Sequence, residues 1–174
     1  RSSGRKKASR PLVNIIGDYN INGETYLIKS LLSRMGIDVH CVSTGEADIE
    51  KMACAHEVDL NLLICQSSGR FLAEAMQKKY GIPYQKVSFF GLSRTCDSLR
   101  KIGAYLGFGA EAENLIIDET KKLAHLKENF ISRLKGKKAA LFFGAARMSM
   151  LMDALEKDME MQVVFTGSQF GDLS

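Results

Sequence analysis

The sequence predicts an α/β fold, a Rossmann-like open parallel sheet with helices on both faces. Short apolar runs alternate with segments of helical spacing along almost the whole chain, the pattern of strand–helix–strand units. The runs themselves, such as Leu60-Asn61-Leu62-Leu63-Ile64, show little polar alternation, as strands buried on both faces do.

Leu12 to Ile16 reads as the first strand and Gly17 to Gly23 as a polar, Gly-rich turn. From about Glu24 to Met35, apolar residues (Leu27, Ile28, Leu31, Leu32, Met35) recur at helical spacing until Gly36 stops the helix. Ile37 to Val42 is the second strand. Gly45 to Ala55 reads as helical, with Glu46, Asp48 and Glu50 near its start, where acids suit the helix dipole. Leu60 to Ile64 is the third strand, and Phe71 to Tyr80 a helix ended by Gly81 with Pro83 beyond. Gln85 to Phe89 forms a fourth strand and Ser93 to Leu106 a helix, followed by a longer polar helical region from about Glu111 to Leu134. Lys138 to Phe143 is a fifth strand, Met148 to Lys157 a helix, and Met161 to Phe165 a sixth strand.

The 174 residues suit one domain with a sizeable core, and 45% hydrophobic with 25% charged residues is an ordinary globular composition. No apolar stretch approaches the roughly 18–20 residues of a membrane span, and no signal-peptide pattern is present, so neither a membrane nor secretion is expected. The net charge of +4 is uneven, because Arg1, Arg5, Lys6, Lys7 and Arg10 lie within the first ten residues. Without those five, 19 basic residues face 20 acidic ones. Residues 1–12 are therefore expected to be a flexible basic tail and 13–174 the domain, with no nucleic-acid partner. The four cysteines show no zinc or C-x-x-C spacing. Without a secretory signal they are expected to be reduced, which agrees with a cytoplasmic location.

In a parallel sheet the loops at the carboxyl ends of the strands form the binding crevice. Those loops are Gly17–Gly23, Cys65–Gly69, Phe90–Thr95, Gly144–Met148 and Thr166–Gly171. Cys65 closes an apolar strand and opens a helix, where first-turn N–H groups and the dipole favour a thiolate. A thiolate there serves as a nucleophile, a redox handle or a ligand for a soft metal. The first loop is neither G-x-G-x-x-G nor a Walker loop. In Gly144-Ala145-Ala146-Arg147, small residues let the backbone approach a ligand and Arg147 adds positive charge, although a tight turn also uses small residues. His40, His56 and His125 form no metal-ligand pair, and no catalytic residue is assigned.

Several segments resemble nitrogenase component 1 proteins in order and spacing. They are Val13-Asn14-Ile15-Ile16-Gly17-Asp18-Tyr19-Asn20-Ile21-Asn22-Gly23-Glu24, Leu60 to Cys65, Lys79-Tyr80-Gly81-Ile82-Pro83-Tyr84, and Phe89-Phe90-Gly91 followed by Asp97-Ser98-Leu99-Arg100-Lys101-Ile102. The likeness runs from about Val13 to Gly171. It implies a middle domain of a larger chain, similar to the molybdenum–iron protein alpha chain or to the homologous cofactor-assembly scaffold. By that resemblance Cys65 stands where one thiolate ligates a terminal iron of a complex iron–sulfur, molybdenum–iron type cluster. Gly144 and Ala145 match a glycine pair whose N–H groups face cluster sulfides, Arg147 a basic residue at the cluster edge, and Phe170 an aromatic position near the cofactor. The implied partners are a homologous beta-type subunit, in a heterotetramer, and an ATP-dependent iron protein. Gln66-Ser67-Ser68 replaces the alpha chain's Tyr-Arg-Ser, and Ala145 replaces the second glycine. The Ala55-His56 region and the missing arginine lean towards the scaffold; Arg147 and Phe170 lean towards the alpha chain. One ligand cannot hold a complex cluster, so this piece alone is expected to carry none and to be inactive. Two other readings stay open, a metal-free small-molecule-binding module and a nitrogenase-like reductase acting on a tetrapyrrole or organosulfur substrate.

Overall fold

The computed structural model describes residues 10–18, 20, 23–64 and 66–168, without the side chains of 66–68, 145 and 146. The elements alternate as the periodicity requires: β1 (Leu12–Ile16), α1 (Glu24–Arg34), β2 (Asp38–Val42), α2 (Ile49–Ala53), β3 (Leu60–Leu63), α3 (Gln66–Tyr80) and β4 (Tyr84–Lys86). The helices α4 (Leu92–Leu106) and α5 (Gly109–Leu134) follow, then β5 (Lys138–Phe142), α6 (Ala145–Asp153), a π-helical turn Ala154–Asp158 and β6 (Gln162–Gly167). Every strand pairing is parallel. The six strands fall into two ladders, a four-stranded sheet in the order β2-β1-β3-β4 and a two-stranded β5-β6 ribbon.

The central strands carry apolar side chains on both faces. Val13 and Ile15 pair in register with Leu60 and Leu62, and all four join one core with Ile28 and Leu32 of α1, Leu99 and Ile102 of α4, and Leu115 and Ile116 of α5. The alternate residues Ile16 and Leu63 point the other way, into a smaller core with Ala73 and Met76 of α3, Val58 and Ile82. The sheet is thus covered on both faces, as its nearly unbroken apolar strands foretell. The β5-β6 ribbon differs: Phe142, Val164 and Phe165 are exposed, and of β5 only Leu141 is buried.

Some element ends depart from the sequence reading. The helix expected from Gly45 is confined to Ile49–Ala53, because Asp48 adopts an extended backbone and accepts from Glu50 N and Lys51 N. The helix expected from Met148 begins at Ala145 and passes into the π turn. Residues 1–9 of the expected tail lie outside the described residues; Arg10 pairs with Asp38 at 3.1 Å, and Leu12 already belongs to β1. Among the described residues, no helix is long and apolar enough to cross a membrane.

Candidate functional site

Parallel pairing brings the carboxyl ends of all six strands to corresponding ends of the two ladders, but the turns there are not equivalent. At the end of β1, Gly17 (φ +84°) turns the chain and Asp18 is buried. The Asp18 carboxylate accepts from the Thr25 hydroxyl and from Asn20 N, while its carbonyl accepts from the Thr44 hydroxyl. Asn20 Oδ1 in turn accepts from Thr25 N at 3.3 Å. A buried acidic side chain against the first turn of α1 disfavours a phosphate there.

At the end of β3, Ile64 N donates to Ile16 O at 2.9 Å, and α3 opens two residues later at Gln66. Gly69 presses α3 against the strand ends: a Cβ there would lie 2.7 Å from both Ile16 Cγ2 and Leu63 Cδ1. The glycine thereby sets how closely the first turns of α3 approach the sheet. Cys65 itself lies outside the described residues.

The turn after β4 is capped from a distance. Asp158, in the π turn, accepts from Leu92 N at 2.8 Å, from Ser93 N at 3.0 Å and from the Ser93 hydroxyl. Gly91 (φ +79°) is required because a Cβ would fall 2.6 Å from Asp158 Oδ2. Arg94 reinforces this contact, with Nε 2.6 Å from Asp153 Oδ2 and a second donor 3.1 Å from Ser149 O. A carboxylate of the protein already satisfies the start of α4. Sequence reasoning missed Asp158, and no local pattern marks it, because its partners lie 65 and 66 residues away.

The turn from β5 into α6 contrasts with these. Gly144 is the N-cap, with φ −61° and ψ 133°, and as a glycine it brings no capping side chain of its own. A Cβ at Gly144 would meet nothing within 4 Å, and both Gly144 and Arg147 are exposed. Arg147 N donates to Gly144 O at 3.0 Å, which closes the first turn of α6. Gly144 and Arg147 are therefore brought together, with Ala145 as the first residue of α6. Phe170 lies outside the described residues. First-turn N–H groups together with an exposed arginine favour an anionic surface.

Among the described residues, no group of three His, Cys, Asp or Glu side chains is placed to hold a metal ion. Cys41, Cys54 and Cys96 are free, and burial pushes the Cys41 and Cys96 thiols up, which keeps them protonated and poor ligands. The donor set on the edge, N–H groups and a guanidinium, suits the outer surface of a negatively charged cluster but supplies no metal ligand from the described residues.

The model of the family described as nitrogenase component 1 type oxidoreductase matches residues 2–173. The nitrogenase iron-molybdenum cofactor biosynthesis protein NifE of Methanococcus maripaludis is 37% identical over 162 residues, which cover 91% of this chain and 34% of that protein. The nitrogenase molybdenum-iron protein alpha chain of Methanothermobacter marburgensis is 35% identical over 158 residues, again 91% of this chain and 34% of the relative. The solved structure of nitrogenase Cp1 at pH 6.5 superposes with a TM-score of 0.85 at 29% identity, covering 97% of this chain and 33% of that one. The chain thus spans about a third of the length of the relatives it matches. It belongs to the nitrogenase component 1 type oxidoreductase family.

Proposed function

We propose that this chain is the middle, cofactor-binding domain of a nitrogenase component 1-type protein, either an alpha-type subunit or a cofactor-assembly scaffold. In the full-length protein its carboxyl edge receives an iron–sulfur cluster of the molybdenum–iron type. The observation that carries this reading is the α6 N-terminus, where a Cβ at Gly144 would meet no described atom within 4 Å and Arg147 is exposed, in a family whose relatives include a nitrogenase iron-molybdenum cofactor biosynthesis protein and a nitrogenase molybdenum-iron protein alpha chain. The cluster, when bound, supplies storage and transfer of electrons.

The residues of this chain have distinct tasks. Cys65 provides a thiolate ligand, soft enough for iron and favoured as an anion at the start of α3. The backbone N–H groups of Gly144 and Ala145 approach the cluster surface, where a bulkier residue at 144 would stand in the way. Arg147 adds positive charge to that face, and Phe170 stands at an aromatic position near the cofactor. Gly69 lets α3 lie close against Ile16 and Leu63 at the strand ends. The replacement of Tyr-Arg-Ser by Gln66-Ser67-Ser68 leans the reading towards the scaffold. The partners are a homologous beta-type subunit and an ATP-dependent iron protein, in the cytoplasm.

The test is the metal content of the full-length parent, isolated anaerobically with its partner subunit, against Cys65→Ala. Loss of iron beyond that of the interfacial cluster supports the reading. Full loading in the variant overturns it and leaves Cys65 as a packed thiol.

A further inference from the structure

A cavity of about 180 Å3 lies between α2 and α3 on the sheet face opposite the larger core. Asn14 of β1 and Cys41 of β2 line it from the sheet, and Met52, His56, Leu72 and Tyr80 from the side of the helices. Met52, Leu72 and Tyr80 are exposed by 43%, 40% and 47%, so the cavity opens to the surface between them.

Asn14 is 2% exposed, and its amide is only half satisfied. Nδ2 donates to Ala55 O at 2.8 Å and to Asn61 Oδ1 at 2.9 Å, which uses both amide hydrogens. The Ala55 carbonyl fixes the amide orientation, because the reverse flip would set two acceptor oxygens against each other. Oδ1 has no partner among the described residues. Asn14 stands in register between Cys41 on β2 and Asn61 on β3, so turning Nδ2 to Asn61 turns Oδ1 to the Cys41 side. Cys41 is part of the cavity lining.

We propose that this cavity binds a small neutral ligand of the phenol class, an aromatic ring with one hydroxyl, whose O–H donates to Asn14 Oδ1. A cavity of about 150 Å3 is enough for benzene, so the volume suits a single ring. The His56 and Tyr80 rings, stacked at 5.1 Å with 27° between their planes, offer an aromatic wall for it. An anion is disfavoured by an acceptor oxygen at the base, and a cation by the absence of any carboxylate from the lining. The Ser43 hydroxyl, also in the lining, is already directed to Ile15 O at 3.3 Å. This inference is independent of the cluster reading, which concerns the carboxyl edge.

The test titrates phenol, and toluene as its isostere without a donor, into the 174-residue chain while amide and side-chain NMR resonances are followed. Phenol is expected to shift the Asn14 side-chain amide and to bind about tenfold more tightly than toluene, the fold-change that about 1.4 kcal/mol from one hydrogen bond gives. Asn14→Leu should erase that preference. Leu72→Trp, at a lining position that is 40% exposed, should block both probes. Equal affinity for the two probes, binding of neither, or phenol binding that survives Leu72→Trp would overturn the proposal.

Discussion

Asp158 is predicted to hold the β5-α6-β6 unit onto the main sheet through the start of α4, and Asp158→Ala measures that role. The carboxylate accepts two backbone N–H groups of the first turn of α4 and the Ser93 hydroxyl. Losing a helix cap costs typically ~1 kcal/mol and up to ~2. Here two donors of a partly buried turn lose their acceptor together, which places the expected loss near the upper end, about 2 kcal/mol. For a chain of this size each kcal/mol moves Tm by roughly 2–4 °C, so a fall of about 4–8 °C is expected in thermal unfolding followed by circular dichroism. Asp158→Asn keeps one acceptor oxygen in place and should recover about half of the loss. Hydrogen exchange should quicken at the Leu92 and Ser93 amides and across β5 and β6, but not in β1 or β3. A loss below about 0.5 kcal/mol, or equal effects of Ala and Asn, would refute the reasoning, because an exposed residue without a capping role behaves in that way.

Gly69→Ala should destabilise the fold by up to about 2 kcal/mol in chemical denaturation, because overpacking against Ile16 and Leu63 costs ~1–3 kcal/mol against a gain of ~1 kcal/mol in helix propensity. Asp153 is partly desolvated, which works against ionisation, yet Lys157 and Arg94 hold its carboxyl below the ordinary value of 3.8. Its contribution is therefore fully present above pH 3.8 and is lost as pH falls through the lower folded value; acid titration of Arg94→Ala should show a smaller loss over that window than the parent chain. The Arg34 pairs with Asp118 and Glu119 are largely exposed, so Arg34→Ala should lower stability by less than about 1 kcal/mol, with the effect shrinking in high salt.

The features legible in the sequence were those written in short-range periodicity. Val13 and Ile15 on one face of β1 and the Ile28–Leu32 spacing of α1 needed only local pattern, and the fold class follows from their repetition. Asp48 shows the boundary of that reading, because an acid near a helix start counts equally as a first-turn residue or as the cap itself. Asp158 and the Asn14–Asn61 pair were invisible for a different reason: their partners are brought to them by the β1-β3 pairing and by the return of the π turn to α4. The β5 and β6 runs were read as ordinary buried strands, but Phe142, Val164 and Phe165 are exposed, since apolar composition reports what a strand is able to bury and not which neighbour covers it. At the site, the Gly144–Arg147 turn was readable from its small residues and one basic residue.

The central claim is that Cys65 and the α6 N-terminus face one cluster. Iron-edge anomalous diffraction from anaerobic crystals of the full-length parent with its partner subunit tests it most directly. Iron peaks bonded to the Cys65 sulfur, with the Gly144 and Ala145 N–H groups and Arg147 turned to the same cluster, are the predicted result. Iron confined to the subunit interface, with Cys65 packed away from it, would contradict the account.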